Sequence, residues 1–366
     1  MEIYLGYSHQ PMSTPYFLAA FVSFLACLFL VITKGWHGRL TLDLMHGVQR
    51  AHVAPTPRIG GVSVFLALVI ADLFIASTPT GEILTPLLLA GIPAFALGLV
   101  EDLFKRGNIL ERLGGTFVSA VLAWWLMDVS LRSVGVIGLD SLLSVGLFSV
   151  AFTAFAVAGI ANAINIIDGF NGLASGAVAL SMLGFAAIAF QVGDLPLAQV
   201  ALLIAAAVGG FMLMNFPFGK IFLGDGGAYF LGFALGWMAV LLTSRNPQVS
   251  PWACFLVCGY PIIETLFSIL RRVKRQAHFG HPDRLHLHSL VRARWVQRHW
   301  GHWPAVLRNS MTSLPMWAYT SVLVVAASVW YDHAQLMLVC TFAACALYWV
   351  WYLRLVRFGR EYAARG

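Results

Sequence analysis

Eleven stretches of this chain are apolar for long enough to cross a bilayer, near residues 16–33, 62–78, 83–100, 114–131, 142–162, 173–192, 197–214, 227–243, 252–270, 314–331 and 335–353. A helix needs about 17–25 largely apolar residues to traverse the hydrocarbon core, where each backbone N–H and C=O must be satisfied within its own segment. The expected fold class is all-α: a polytopic integral membrane protein of about eleven transmembrane helices. A charged fraction of 11% and a mean hydropathy of +0.79 exclude a soluble globule, in which roughly 25% of residues carry charge.

The first run, Tyr16 to Thr33, has no Lys or Arg before it and meets its first cation at Lys34. It lacks the basic lead of a cleaved signal and reads as a retained span. The five cysteines lie in apolar runs, and the spacing of Cys254 and Cys258 is not that of a metal or redox pair. They read as packing residues.

A net charge of +7 would suit nucleic acid in a soluble protein. In a membrane protein it points to basic cytoplasmic loops, so no nucleic-acid partner is expected and membrane lipid is. With the N-terminus outside, segments 34–61, 101–113, 163–172, 215–226, 271–313 and 354–366 lie inside and hold 21 of the 23 Lys and Arg, leaving only Arg132 and Arg245 outside. The expectation is an N-terminus outside and a C-terminus inside, with every candidate motif on the cytoplasmic face. Without a repeat or linker, residues 1–366 read as a single domain.

Five motifs carry polar groups into this apolar chain. The stretch NAINIIDGFNGLASG, from Asn162, sets Asn162, Asn165, Asp168 and Asn171 at three-residue spacing. Unsatisfied amides and carboxylates are expensive beside lipid, so the cluster reads as a site rather than as a polar loop. RAHVAPTPRIGG, from Arg50, brings Arg50, His52 and Arg58 either to one anionic site or into ordinary basic loop decoration. In GLVEDLFKR the adjacent Glu101 and Asp102 repel unless relieved by a metal, a lipid phosphate or Lys105; the other reading is a solvated helix end. NFPFGKIFLGDGG places Asp225 in a Gly-rich turn that opens a helix, with Lys220 nearby, as a diphosphate and divalent-cation site would. There Phe222 either packs in the core or stacks on a nucleobase. Finally, HPDRLHLHSLVRAR carries Arg284, His286 and His288; a zinc site would lack its second ligand pair, and phosphate contact fits better.

The order of these motifs resembles the polyprenyl-phosphate N-acetylhexosamine-1-phosphate transferase family, glycosyltransferase family 4, over about residues 43–294; spans 314–331 and 335–353 follow. The most specific parts are N-A-x-N-x-x-D-G-x-x-G-L at 162–173 and F-L-G-D-G-G at 222–227. The resemblance implies transfer of a sugar 1-phosphate from a UDP-N-acetylhexosamine, most often N-acetylglucosamine, to undecaprenyl phosphate with release of UMP. It implies a bacterial inner membrane with the N-terminus periplasmic, Mg2+ with Mn2+ as substitute, and a place at the first membrane step of a cell-envelope polysaccharide such as O-antigen; a homodimer is one assembly open to the chain. It makes Asp225 the magnesium ligand, Asp168 the essential carboxylate, Phe222 the uracil-stacking ring and Asp102, beside Glu101, the base at the lipid phosphate. Three positions depart from the family pattern: Glu101 replaces the first Asp of an Asp-Asp pair, Ser289 the last His of H-I-H-H, and Asn171 a frequent Asp.

Two rival readings stand beside this one. Asp168 and Asp225 would form the dyad of an intramembrane aspartyl protease, and Asp72 and Glu264 within apolar runs would suit a secondary transporter.

Overall fold

The computed structural model describes residues 13–43, 55–105, 108–274 and 285–363. Nine of its helices are long and apolar enough to cross a membrane: α1 (Ser13–Ile32), α4 (Gly81–Phe104), α5 (Ile109–Met127), α7 (Gly146–Ile167), α8 (Leu173–Gln191), α9 (Leu195–Asn215), α10 (Gly224–Arg245), the joined α15 (Ala305–Met311) and α16 (Ser313–Val329), and α17 (Ala334–Ala363). Two further apolar elements complete the expected eleven. Helix α3 (Gly60–Ile75) is shorter, and α11 (Pro251–Val257) meets α12 (Gly259–Lys274) at an 83° bend. Short helices α2 (Lys34–Thr41), α6 (Leu139–Leu143), α13 (Leu287–Val291) and α14 (Gln297–Trp300) lie in the connections. One two-residue antiparallel ladder, β1 (Leu42–Asp43) with β2 (Thr56–Pro57), is the only sheet among the described residues.

The bend corrects the expectation of one straight span over 252–270, and its cause is chemical. Pro261 has no N–H to give the carbonyl four residues back, that of Val257. A freed carbonyl at membrane depth needs a protein donor, and the Ser181 hydroxyl of α8 supplies it at 2.6 Å.

Helix α10 is the axis of the bundle. It is buried continuously from Gly224 to Met238 and packs against α3, α4, α7 and α8. Helices that compete with lipid for each other associate through close backbone approach at small residues. Here Gly232 and Gly236, four residues apart, face Ala161 and Val157 of α7, and a Cβ built at Gly236 would already lie 3.2 Å from the Val157 Cα. At the far end of α10, Arg245 pairs with Asp194 through Nε–Oδ2 at 2.7 Å and Nη2–Oδ1 at 3.0 Å, with Asn246 donating to the same carboxylate. One of the two cations counted outside is thus a structural tie.

Adding side-chain volume at Gly232 should force α7 and α10 apart. Gly232→Val is expected to destabilise the protein by about 1–3 kcal/mol, the usual range for overpacking, read as a lower midpoint for loss of the monodisperse peak after heating in detergent. An unchanged midpoint would show that this contact does not hold the bundle.

Candidate active site

The site forms where the buried axis begins. A helix start leaves its first N–H groups unsatisfied, and inside a bundle no water reaches them. Asp102, 1% exposed on the last turn of α4, supplies both acceptors: Asp225 N–H donates to its Oδ1 and Gly226 N–H to its Oδ2, each at 2.9 Å. The close approach requires glycine at two positions. Gly224 sits at φ +78°, and a Cβ there would lie 2.6 Å from Asp102 Oδ2; one on Gly98 would lie 2.6 Å from the Asp225 carbonyl.

Asp225 then projects into a ring of donors. Its Oδ1 accepts from Arg58 Nη2 at 2.6 Å and Asn165 Nδ2 at 3.0 Å, and its Oδ2 pairs with Arg112 Nη1 at 3.0 Å. Arg58 is aimed by β2 and the segment after it: its N–H donates to Thr41, Phe222 N–H to Pro57, and Gly60 N–H back to Phe222. Its Nε also lies 3.6 Å from Asp102. Arg112, from the first turns of α5, reaches Glu101 at 3.6 Å and lies 5.8 Å from the centre of the Tyr229 ring, whose hydroxyl donates to Asn162.

Asp168 caps the C-terminus of α7 and accepts the Gly224 N–H. Burial is the largest influence on this half-buried carboxyl, and together with the Asp225 charge it outweighs Arg58 and the Gly224 bond, raising the pKa from 3.8 to about 7. Five elements, the segment after β2 and helices α4, α5, α7 and α10, therefore meet at one point, with three aspartates and two guanidiniums. A protease dyad would need Asp168 and Asp225 to share a proton, whereas Asp225 is clasped by two arginines.

The remaining expected residues fall into three groups. Arg50, His52 and Arg284 lie outside the described residues. Lys105 and Lys220 are exposed; Lys105, at φ 53°, donates from Nζ to the Asp102 carbonyl, and Phe222 is half-buried. Asn171 is 3% exposed and holds its own loop: its N–H donates to Asn309, its amide to Pro217 and Ser310, and its carbonyl accepts from Ser313. The reading of Asp102 as a solvated helix end is corrected by its burial.

His286 and His288 stack at 5.2 Å over a carboxylate that the motif reading left out. Glu264, fully buried in α12, accepts from His286 Nδ1 at 2.9 Å and from Leu287 N–H at 3.1 Å, and lies 3.7 Å from His288 Nδ1. His288 meets the ring of Phe170 edge-on at 5.6 Å, which sets the pair beside the 168–172 loop. Glu264 is thus an anchor for the histidines, not a transporter's intramembrane acid, and Asp72 is likewise satisfied locally by the Thr85 hydroxyl. Arg112 is marked by no motif, and Glu264 is singled out by the sequence only for the transporter reading. The first looked like any basic residue at a helix start; the second had only its placement in an apolar run to mark it.

Fold and site together define a multi-pass membrane protein with a cluster of aspartates and arginines at one end of its bundle. Residues 84–243 match the model of glycosyl transferase family 4. The chain is 27% identical to a probable undecaprenyl-phosphate N-acetylglucosaminyl 1-phosphate transferase of Bacillus subtilis, covering 67% of this chain and 68% of that protein. It is 27% identical to a decaprenyl-phosphate N-acetylglucosaminephosphotransferase of Mycolicibacterium smegmatis, over 98% of this chain and 94% of the other. A phospho-N-acetylmuramoyl-pentapeptide-transferase of Desulfitobacterium hafniense is 30% identical over 61% of this chain and 72% of its own length. The chain belongs to glycosyl transferase family 4.

Because Asp168 binds its proton more tightly folded than unfolded, its contribution to stability is greatest below about pH 4, declines as pH rises, and levels off above about pH 7. With divalent cations chelated, Asp168→Asn should therefore gain on the wild type in melting temperature between those limits and hold a constant lead above them. Parallel curves across the range would refute the elevated pKa. For the second site, a double-mutant cycle of Glu264→Gln and His286→Ala should give a coupling of about 1–2 kcal/mol, in the range found for contacting pairs; additive losses would dissociate the two residues.

Proposed function

We propose that this phosphoglycosyltransferase moves N-acetylglucosamine 1-phosphate from its UDP-sugar to a polyprenyl phosphate, in bacteria undecaprenyl phosphate, with release of UMP. The observation that carries this reading is the clasp of Arg58 and Arg112 on Asp225 at the start of α10, since cations at a helix N-terminus suit a diphosphate. The functions for which the relatives are named support it. The acceptor brings a lipid tail and an anionic head, so a site at the end of the bundle serves both. We assign that end to the cytoplasm, with the N-terminus outside and the C-terminus inside, on the strength of the basic residues gathered there.

In the reaction an oxygen of the lipid phosphate attacks the sugar-bound phosphorus, and the bond to the UMP oxygen breaks. Arg58 and Arg112 offset the charge of the diphosphate and of departing UMP. Asp102, with each oxygen held by a backbone N–H, orients Asp225 and fixes the helix start. The base expected at Asp102 has both its oxygens taken by main-chain N–H groups, so we give the proton exchange with the acceptor phosphate to Asp168 instead, and the histidines anchored by Glu264 add donors beside the 168–172 loop.

Mg2+ would suit the carboxylate of Asp225. Asp225 offers two hard carboxylate oxygens that already draw two positive groups, and among the described residues no three acids or histidines converge to enclose an ion. Magnesium is commonly held this way, by one or two carboxylates with phosphate oxygens and water filling the rest. Bound by Asp225, it would neutralise charge on the diphosphate and the leaving group.

The test is UMP release from UDP-N-acetylglucosamine by protein reconstituted with undecaprenyl phosphate. Release should stop on chelation, return with Mg2+, and fall about 100-fold or more in Asp225→Asn at unchanged folding, the scale of losing one electrostatic stabiliser. Wild-type release by the variant would remove Asp225 from the reaction, and no release from any UDP-N-acetylhexosamine would refute the activity.

A further inference from the structure

Beyond the aspartate centre, one group of side chains has no role in the transfer. Segment 292–308 joins the histidine pair to the span that starts at Ala305. Within it the guanidiniums of Arg292 and Arg308 converge on a single neutral acceptor, Gln297 Oε1, at 3.4 Å and 2.5 Å. Among the described residues neither has a carboxylate partner, and the Nε–H of each is buried without an acceptor. Two like charges held together around an exposed amide oxygen repel, and at each guanidinium the Nε–H is shut off from water. Arg292 answers with a pKa held below its usual value, by burial first and by Arg308 second. Such a pair is a ready receptor for an anion.

The surroundings say which kind. Trp295, Trp300 and Trp303 form a chain of ring contacts, 5.0 Å and 6.1 Å between successive centres, on the same segment. Trp295 is 37% exposed. Tryptophans cluster at the depth of lipid headgroups, where one face of the ring is apolar and the N–H is wet. The segment also sits at the foot of a membrane span, Ala305–Val329. Paired guanidiniums present forked donors that match phosphate oxygens.

We propose that Arg292, Gln297 and Arg308 form a second anion site, apart from the aspartate centre, that takes the phosphate of an anionic phospholipid headgroup. The site is mechanically close to the first. Asn309, the next residue after Arg308, accepts the Asn171 N–H at 2.7 Å, and Ser310 accepts from the Asn171 amide at 3.1 Å. A lipid that steadies α15 therefore steadies the loop running from Asp168 to Gly172, and the enzyme's rate becomes sensitive to the charge of its membrane. The site stands independently of the proposed substrates.

The wild-type protein in nanodiscs gives the direct test. Arginine modification by phenylglyoxal, mapped by mass spectrometry, should be slowed several-fold at Arg292 and Arg308 in phosphatidylglycerol discs relative to phosphatidylcholine discs, with Arg132 at the opposite end as internal reference. Inorganic phosphate or UMP added to phosphatidylcholine discs should not protect them. R292Q/R308Q should retain phosphatidylglycerol about 30-fold more weakly by native mass spectrometry, the loss expected for two cations near an anionic surface. Equal modification under every condition would overturn the site. Protection by soluble phosphate but not by phosphatidylglycerol would overturn the lipid assignment. Because the labelling uses unaltered protein, a double variant that fails to fold leaves the result decisive.

Discussion

The two N–H groups at the start of α10, bound by the carboxylate of Asp102, are the contact on which the rest of the site depends. Helix α10 runs through the middle of the bundle, so its N-terminus carries orphan donors and the positive end of the helix dipole into a dry place. One buried carboxylate satisfies both demands. It does so only because Gly224 and Gly98 let α4 approach closely. Once the helix start is fixed, Asp225 follows in its first turn, and Asp168 receives the N–H of Gly224. The aspartates then require counter-charge, which Arg58 and Arg112 provide from opposite sides. The raised proton affinity of Asp168 lessens the negative charge that the two guanidiniums have to offset. A centre in which acids and guanidiniums face one another offers an anion its arginines and a cation its acids.

Much of this was legible in the sequence because hydropathy and lipid thickness leave little freedom. All eleven expected runs correspond to apolar helical elements, and the one misjudged shape, the bend before α12, had its cause written in Pro261 and its remedy hidden in Ser181. The proline is visible in the chain; the hydroxyl that answers the freed carbonyl lies 76 residues away in sequence. Asp168 and Asp225 were legible because acids beside glycines in apolar surroundings need a use.

Arg112 and Glu264 show where reading by pattern ends. Arg112 occupies a helix start, where a basic residue is commonplace, and only the packing of α5 beside α4 brings it to Asp225. Asn171 failed in the opposite direction. Its regular spacing with Asn162, Asn165 and Asp168 suggested a shared role, yet α7 ends at Ile167, so the last member lies on a loop with a different direction. Its bonds run to Asn309, Ser310 and Ser313 on the elements that follow the histidines. Equal spacing places residues on one face only while the helix lasts.

The same geometry explains why folding and chemistry are difficult to separate in this centre. The ends of α4 and α7 and the start of α10 meet at one end of the bundle, each bringing backbone groups that a helix leaves unsatisfied. Satisfying them requires charged side chains, and those side chains are also what an anionic substrate needs. The two demands fall unequally on the aspartates. Asp102 has both oxygens committed to the main chain, so replacing it with Asn would turn one acceptor into a donor facing an N–H, a fault in the fold before it is a fault in the reaction. Asp225 is bonded only to side chains, and a change there leaves the helix start intact. Asp168 stands between them, with one backbone bond and partial access to solvent. The structure thus grades the three acids from scaffold to reagent by the kind of hydrogen bond each one makes.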